Sequence, residues 1–256
     1  MNILCLCPTY GRPRLVANAL ACFLAQDYPA EKRKLLILDD AGQIDGQGGD
    51  GWLVNSTSNR FISLPGKYNA MLASENRAGW MWYDRWDAVA VWDDDDIYLP
   101  WHLSAAAMAL QNGEPAAKPS AIWSLYQTPT PFREDATGRF HGSLVIDSTR
   151  LRALGGWIDT RRADFDQQMI HATGPHAEML AVSPDQSPSY VYRWGSTGAH
   201  HCSAWMKSPD NEDWYDRTPI TEPGRIEKLV PRFDEETKRI YAHFGIPVDA
   251  PQTVGV

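Results

Sequence analysis

The sequence lacks long hydrophobic runs, paired cysteine motifs and the features of a secretion signal. No window approaches the roughly 18 uninterrupted apolar residues of a membrane span. The apolar start of the chain stops at Pro8, which is too short for a signal peptide. The four cysteines have no Cys-x-x-Cys spacing and no disulfide-like framework. We therefore expect a cytoplasmic protein with reduced cysteines and no membrane span.

Positive charge is also scarce, since 24 Lys and Arg residues face 32 Asp and Glu residues and the net charge is −8. The chain therefore has no overall cationic field to attract nucleic acid. Hydrophobic residues make up 43% of the 256 residues, which excludes a disordered chain and allows a sizeable core. The unusual features are 11 tryptophans and four consecutive aspartates, which we call the aspartate run (Asp93, Asp94, Asp95 and Asp96).

The first half of the chain alternates strand and helix patterns. Residues 2–7 form an apolar run that ends at Pro8, residues 13–26 have helical spacing, and residues 34–39 form a second apolar run. Strand, helix and strand within about 40 residues predict a βαβ unit in a parallel sheet covered by helices. Further strands are predicted over residues 59–64, 88–92 and 121–126, and further helices over residues 68–84 and 99–110.

The pattern changes in the second half of the chain. Residues 130–133 and 139–146 flank a polar turn and predict an antiparallel hairpin. Helices are predicted over residues 148–154, 165–172 and 234–244. This half therefore looks like a region that completes a site built by the first half.

Polar side chains follow three of the predicted strands. In open parallel sheets, ligands bind outside the carboxyl ends of the strands. Residues 8–13 follow the first strand, Asp39 and Asp40 follow the second, and the aspartate run follows the fourth. We therefore expect these three clusters to form one site.

The aspartate run has a specific chemical meaning. Four adjacent carboxylates repel one another, and a bound divalent cation is the usual way to offset that repulsion. Oxygen ligands suit Mg²⁺ or Mn²⁺, which are typically shared with a substrate's phosphates. In an extended segment Asp93 and Asp95 point to one side and Asp94 to the other, so Asp95 would bind the metal directly. A solvated acidic turn is the alternative, and the buried strand before the run disfavours it.

Several segments, in this order, resemble the signatures of GT-A fold, family 2-like glycosyltransferases. They are Pro8-Thr9-Tyr10, Ile37-Leu38-Asp39-Asp40, residues 91–100 around the aspartate run, residues 141–146, residues 151–157 and residues 163–166. The resemblance covers roughly residues 2–172. It implies a Rossmann-like, mostly parallel central sheet flanked by helices, with a small antiparallel hairpin region and a C-terminal helical tail.

The resemblance also implies a domain layout. A GT-A catalytic domain is expected over residues 1–205, with a nucleotide-sugar half at residues 1–110 and an acceptor half at residues 111–205. Residues 206–256 are expected to form a C-terminal extension that packs on the same domain.

Site roles follow from the same resemblance. The residues expected to bind the nucleotide sugar are Pro8, Thr9, Tyr10, Arg12, Asp39, Asp40, Lys67, Asn69, Asp93 and Asp94. Asp39 or Asp40 would hydrogen-bond the base, typically uracil. The residues expected to hold Mn²⁺ or Mg²⁺ are Asp93, Asp95 and one of His200 and His201.

The implied catalytic base is Asp164, with Asp166 as its nearest competitor. A role for Asp164 as a helix N-cap is the alternative, because Asp is a preferred capping residue. Ala163 stands where the family commonly has glutamate.

The expected function is metal-dependent, inverting transfer of a sugar from a nucleotide-sugar donor, by default a UDP-sugar, to an acceptor hydroxyl. A nucleotidyltransferase acting on sugar phosphates is an alternative, and so is a non-catalytic nucleotide-sugar binder on the same fold. A glycan, a protein or a modified nucleic acid base all remain open as the acceptor.

Overall fold

The apolar runs at the start of the chain form the centre of a mixed sheet. The computed structural model describes residues 1–76, 81–126, 128–179, 188–193, 220 and 222–248. Strands β1 (Ile3–Thr9) and β2 (Arg33–Asp39) are parallel neighbours joined by helix α1 (Pro13–Leu24), which has proline in its first turn. Both strands are almost entirely buried, as expected for parallel strands covered on both faces.

The described strands form two sheets. The other strands are β3 (Gly48–Gly49), β4 (Trp52–Ser56), β5 (Ala88–Val91), β6 (Ile97–Tyr98), β7 (Ala116–Lys118), β8 (Ala121–Ser124), β9 (Phe132–Asp135), β10 (Val145–Asp147), β11 (Ala177–Glu178) and β12 (Tyr190–Tyr192). The larger sheet has the order β11-β7-β10-β5-β1-β2-β4-β3 and the smaller one β6-β12-β8-β9. Because β5, β1, β2 and β4 are mutually parallel, their carboxyl ends share one edge.

Helices cover both faces of the larger sheet. The remaining helices are α2 (Leu64–Ser74), α3 (His102–Ala109), α4 (Ser148–Ala153), α5 (Phe165–Thr173) and α6 (Glu235–His243). Side chains alternate along β1, so Ile3 and Cys5 join the core under α1, while Leu4 and Leu6 join the core under α2. The chain therefore has the α/β architecture that the strand and helix patterns predict.

Trp92 fixes the end of β5 to α1. Its side chain is fully buried, its ring stacks on Tyr98 at 3.9 Å, and its indole N–H donates to the carbonyl of Ala19 at 3.1 Å. The residue before the aspartate run is therefore locked into the core, and this limits where the carboxylates can lie.

The third strand lies earlier than predicted. Residues 59–64 are not a strand, because the strand is β4 and Ser63 caps α2 by accepting a hydrogen bond from the backbone N–H of Gly66 at 3.1 Å. Ile62, the apolar residue that suggested a strand, is 72% exposed. The predicted helix over residues 68–84 also starts earlier, at Leu64, and ends at Ser74.

The predicted hairpin between residues 130–133 and 139–146 is wrong. β9 pairs with β8, and β10 lies between β5 and β7, antiparallel to both. The difference follows from burial, because Val145 and Ile146 are buried and suit the larger sheet, whereas β9 is mostly exposed and suits an edge.

The described part of residues 206–256 packs on the same core. Ile240 and Tyr241 of α6 are buried, and the hydroxyl of Tyr241 donates to the carbonyl of Tyr98 at 2.8 Å. Asp234 caps α6, and its carboxylate also forms an ion pair with the buried Arg193, whose Nη1 lies 2.5 Å from Oδ2 of Asp234. These contacts tie α6 to the segment that follows the aspartate run.

Three of the four cysteines lie among the described residues. Cys5, Cys7 and Cys22 are buried free thiols, and burial raises the pKa of Cys22 to about 11. None of the described helices combines the length and the apolar character that crossing a bilayer requires.

His102 predicts a pH dependence of stability. Its ring is fully buried against Trp92, Tyr98 and Tyr190, with Nδ1 2.9 Å from the hydroxyl of Ser189, and burial lowers its pKa to about 3. In the unfolded chain the pKa returns to about 6.5, so the unfolded state binds more protons between these values. Stability is therefore lost as pH falls below about 6.5, by up to about 1.4 kcal/mol per pH unit for this group.

Urea unfolding at several pH values between 4.5 and 8 measures this effect. We expect His102→Gln to reduce the slope of unfolding free energy against pH by about 1.4 kcal/mol per unit below pH 6. Burial also lowers the pKa of His141 to about 3. His141 therefore adds its own pH dependence of the unfolding free energy, and this part remains in His102→Gln. Equal slopes in the wild type and His102→Gln would contradict the assignment.

Candidate active site

The carboxyl ends of β1, β2 and β5 bring the three predicted polar clusters together. The hydroxyl of Thr9 donates to Asp94 at 2.6 Å. The ammonium group of Lys67 donates to the carbonyl of Thr9 and, at 2.5 Å, to the carboxylate of Asp40. One connected polar network therefore spans the ends of three strands, as expected for a ligand site in this class of sheet.

Arg12 neutralises the middle of the aspartate run. Its guanidinium is only 2% exposed and forms ion pairs with Asp94 and, at 2.7 Å, with Asp95. Asp94 is buried, and burial raises its pKa to about 6 although Arg12 acts in the opposite direction. Asp95 keeps 18% of its side chain exposed and is thus the more accessible of the two carboxylates.

The two ends of the aspartate run are held by hydroxyl and backbone groups. Asp93 accepts from the hydroxyl of Tyr68 at 3.1 Å, and its own backbone N–H donates to the hydroxyl of Tyr98 at 2.7 Å. Asp96 accepts from the hydroxyl of Tyr190 and from the backbone N–H of Arg193 at 3.1 Å. Burial and the three neighbouring carboxylates raise the pKa of Asp93 well above its usual value.

The run is a turn rather than an extended segment. Asp94 and Asp95 lie in the turn and face the same guanidinium, so the expected alternation of sides is wrong. The sequence suggested that a bound cation offsets the repulsion among the four carboxylates. In the structure, Arg12, Arg193 and tyrosine hydroxyl groups donate hydrogen bonds to the run and reduce that repulsion. The side chain of Arg193 donates to the backbone carbonyl of Asp95 at 2.5 Å.

Asp39 and Asp40 lie at the predicted strand end, and both are buried. Asp39 accepts from the backbone N–H groups of Ala41, Gln43 and Ile44 at 2.7–2.9 Å, so it organises the loop that follows β2. Asp40 accepts from the backbone N–H of Phe61 at 3.0 Å and from Lys67. Both carboxylates therefore fix the backbone that follows or faces the end of β2.

Lys67 and Asn69 lie on one helix but serve different places. Lys67 is buried at the site, and burial lowers its pKa while Asp40 acts in the opposite direction. Asn69 instead holds Trp157, accepting from its backbone N–H at 2.8 Å and donating to its carbonyl at 2.9 Å. The ring of Trp157 stacks on Tyr68 at 4.5 Å, and Tyr68 donates to Asp93, so Asn69 is linked to the aspartate run through Trp157 and Tyr68.

Arg60 is a site residue that sequence reasoning missed. Its guanidinium lies 3.8 Å from the ring centre of Tyr10, which is half-buried at the end of β1 beside the buried Pro8. No spacing or motif marks Arg60, because it reaches Tyr10 from the loop between β4 and α2. The pair forms a cation–π contact beside the network of Thr9 and Lys67.

Asp164 and Asp166 stand at the start of α5. Asp164 occupies the N-cap position, but its side chain makes no capping hydrogen bond, so the N-cap alternative is wrong. Its two oxygens instead accept from Nε and Nη2 of Arg162 at 3.0 and 3.1 Å, and one also accepts from Gln168 at 2.8 Å. These hydrogen bonds, chiefly those from Arg162, lower the pKa of Asp164.

Asp166 is in a different environment. Among the described residues its donors are the backbone and side chain of Gln167, at 2.8 and 3.4 Å, and burial raises its pKa. The pKa of Tyr192 is raised by burial and then by the charges of Asp96, Asp95 and Asp166. The charges of the aspartate run and of Asp166 therefore both act on Tyr192.

The predicted metal ligands are only partly described. His200 and His201 lie outside the described residues. Within the described ranges, no three His, Cys, Asp or Glu side chains are grouped closely enough to hold a metal ion. The oxygens of Asp93 and Asp95 have the chemistry that Mg²⁺ and Mn²⁺ prefer, and such ions often use one or two carboxylates together with substrate phosphates.

Comparison with solved structures identifies the fold. S. aureus TarS 1-349 in complex with UDP-GlcNAc matches with a TM-score of 0.56 and 11% identity, over 75% of this chain and 58% of that chain. The mannosyltransferase PcManGT from Pyrobaculum calidifontis, in complex with GDP-Man and Mn²⁺, matches with a TM-score of 0.52 and 18% identity, over 80% of this chain and 59% of that chain. No family model and no curated protein matches the sequence.

These similarities confirm the GT-A glycosyltransferase fold expected from the sequence signatures. The chain spans about 60% of the length of the TarS 1-349 chain. The shared feature is the mixed sheet flanked by helices. In this chain the polar network described above lies at the carboxyl ends of the parallel strands of that sheet.

Gly142 predicts a steric constraint beside Asp93. A Cβ atom at this position would lie 2.5 Å from an oxygen of Asp93 and 2.6 Å from the hydroxyl of Tyr190. Both distances are too short for a carbon atom, so Asp93 and Tyr190 would have to move. We expect Gly142→Ala to lower the free energy of unfolding by about 1–3 kcal/mol because it overpacks this contact. Urea unfolding measures the loss.

Gly46→Ala is the matched control. A Cβ atom there would meet only the carbonyl of Val54 at 3.8 Å, an ordinary contact. We expect a change within about 0.5 kcal/mol, as for most surface substitutions. Equal stability of Gly142→Ala and Gly46→Ala would contradict the close approach of Gly142 to Asp93.

Proposed function

We propose that the protein is a nucleotide-sugar-dependent, metal-dependent, inverting glycosyltransferase whose default donor is a UDP-sugar. The observation that carries the proposal is the polar network of Thr9, Lys67 and the aspartate run at the carboxyl edge of a GT-A sheet. TarS and PcManGT, which share the fold, are described with UDP-GlcNAc, UDP and GDP-Man, and PcManGT also with Mn²⁺. Asp166, whose charge acts on Tyr192 together with those of Asp95 and Asp96, would supply a carboxylate for proton transfer.

The diphosphate and its cation would bind at the aspartate run. Asp93 and Asp95 are the proposed ligands of Mn²⁺ or Mg²⁺, with His200 or His201 as a further ligand. The cation would neutralise the charge on the departing diphosphate. Asp94 would serve as a ribose or diphosphate contact, held in place by Thr9 and Arg12.

The nucleotide base would bind beside Tyr10. The proposed contacts are Pro8, Thr9 and the flat surface of Tyr10 and Arg60, because aromatic and guanidinium faces stack on bases. Asp39 shapes the loop at this pocket, and Asp40 holds Lys67. Asn69 would act from a distance, by holding Trp157 against Tyr68.

The proton of the acceptor hydroxyl needs a base on the side away from the diphosphate. A general base works best when its pKa lies near the operating pH. Asp164 is paired with Arg162, which lowers its pKa, whereas burial raises the pKa of Asp166. We therefore assign the base to Asp166 and a positioning role to Asp164.

The proposed reaction is one displacement. The acceptor oxygen bonds to the anomeric carbon as the bond from that carbon to the diphosphate oxygen breaks. The proton of the hydroxyl passes to Asp166, and the nucleoside diphosphate leaves with the bonding electrons. Attack opposite the leaving group inverts the anomeric centre.

The proposal extends to the domain layout and the compartment. We place the catalytic domain at residues 1–205 with residues 206–256 as its extension, because α6 packs on the core that supports the site. The buried free thiols of Cys5, Cys7 and Cys22 suit a reducing compartment, so we place the protein in the cytoplasm.

Asp95→Asn tests the diphosphate site. We expect nucleotide release from UDP-GlcNAc or GDP-Man with Mn²⁺, across an acceptor panel, to fall by about 10²-fold or more, because one cation ligand loses its charge. Asp135→Asn, at an exposed position on β9, is the matched control and keeps wild-type activity. Unchanged turnover in Asp95→Asn would remove Asp95 from the site.

Asp166→Asn and Asp164→Asn together test the base. We expect Asp166→Asn to lower kcat by about 10²–10⁴-fold while donor affinity is kept, because only proton transfer is lost. Asp164→Asn should cost less than about tenfold, since its carboxylate is held by Arg162. The reverse order of effects would assign the base to Asp164.

A further inference from the structure

Arg12 is a fixed positive charge inside the site. Its guanidinium is buried, and Nη1 and Nη2 are paired with Asp95 and Asp94 respectively. Two carboxylates compensate the charge of this buried guanidinium. Burial alone would lower the pKa of Arg12, but the negative charges of Asp94 and Asp95 outweigh the effect of burial and raise it.

The same pairing occupies Asp95, a carboxylate of the run that keeps part of its surface exposed. Asp95 would contribute an oxygen to Mn²⁺ or Mg²⁺, and one of its oxygens already lies 2.7 Å from Arg12. A guanidinium and a divalent cation both bind carboxylate oxygen and repel each other at close range. Metal binding to Asp95 therefore competes with the internal ion pair.

The cation alone has little else to bind among the described side chains. No group of three candidate ligands occurs in the described part of the chain. A nucleoside diphosphate would change this balance in two ways, because its oxygens add ligands for the metal and its charge offers Arg12 a new partner.

We propose that Arg12 is an internal cation that holds Asp95 until a nucleoside diphosphate arrives, so that Mn²⁺ or Mg²⁺ enters the site together with the diphosphate and not alone. This inference rests on the proposed function, because it takes Asp95 as a ligand of the cation. Arg12 is in this sense a positioning residue, since it acts on the cation through Asp95.

A purely structural role for Arg12 makes a different prediction. If Arg12 only neutralised two buried acids, its removal would lower stability and leave the affinity for free metal unchanged or weaker. If Arg12 competes with the metal, its removal takes a competing cation away from Asp95 and the affinity for free metal rises. The direction of the change in metal affinity separates the two roles.

Titration of Mn²⁺ into the protein, followed by the electron paramagnetic resonance signal of the free ion, tests the inference. We expect the wild type to bind Mn²⁺ weakly alone and about tenfold or more tightly when UDP is present. We expect Arg12→Gln to bind Mn²⁺ without UDP about tenfold more tightly than the wild type does. Adding Asp95→Asn to Arg12→Gln should abolish that gain.

Arg33→Gln is the matched control. Arg33 is also a buried arginine, but it donates to the backbone carbonyls of Phe23, Leu24 and Gln26. Its loss should weaken the fold without any gain in Mn²⁺ affinity. If Arg12→Gln does not fold, Arg12→Gln with Asp94→Asn removes both charges of the buried pair and takes its place.

Two results would overturn the inference. One is tight Mn²⁺ binding by the wild type without UDP, which needs no variant to be measured. The other is an unchanged or weaker Mn²⁺ affinity in the folded Arg12 variant. A gain in Mn²⁺ affinity without turnover of any nucleotide sugar would keep the inference and reject the proposed function.

Discussion

The structure depends on how four adjacent carboxylates are accommodated at the end of a buried strand. Trp92 anchors the strand end in the core, and Asp94 and Asp96 of the run are buried with it. Its charge is instead met from inside, by Arg12 and by the hydroxyl groups of Thr9, Tyr68 and Tyr190. These groups come from three separate parts of the chain, around residues 9–12, 68 and 190, and the site is assembled where they converge.

This compensation explains why the parallel sheet and the later segments form one unit. Parallel strands bring Thr9, Asp40 and the aspartate run to one edge, where Lys67 joins the first two. Arg193 then joins the backbone of Asp95 to Asp234, at the start of α6. The C-terminal helix is therefore tied to the site by an ion pair as well as by apolar packing.

The sequence could predict the strands that are apolar throughout and the polar clusters that follow them. β1, β2 and β5 are such runs, and their order predicted the edge on which the site lies. β4 was misplaced because Trp52 to Val54 is short and lies among glycines, whereas Ile62 is apolar but exposed. The partners of the aspartates were invisible, because Tyr190 and Arg193 are almost 100 residues away from them.

The same reasoning about charge separates the acids that shape the site from those that remain for chemistry. An acid whose oxygens accept hydrogen bonds from several fixed donors has a structural role. Asp39, which accepts from backbone N–H groups, and Asp164, which accepts from Arg162, are acids of this kind. Asp95 and Asp166 differ, since one keeps exposed surface and the other has a raised pKa from burial. The charges of both act on Tyr192. In the proposed mechanism, Asp95 would hold the cation of the leaving diphosphate, and Asp166 would take the proton of the incoming hydroxyl.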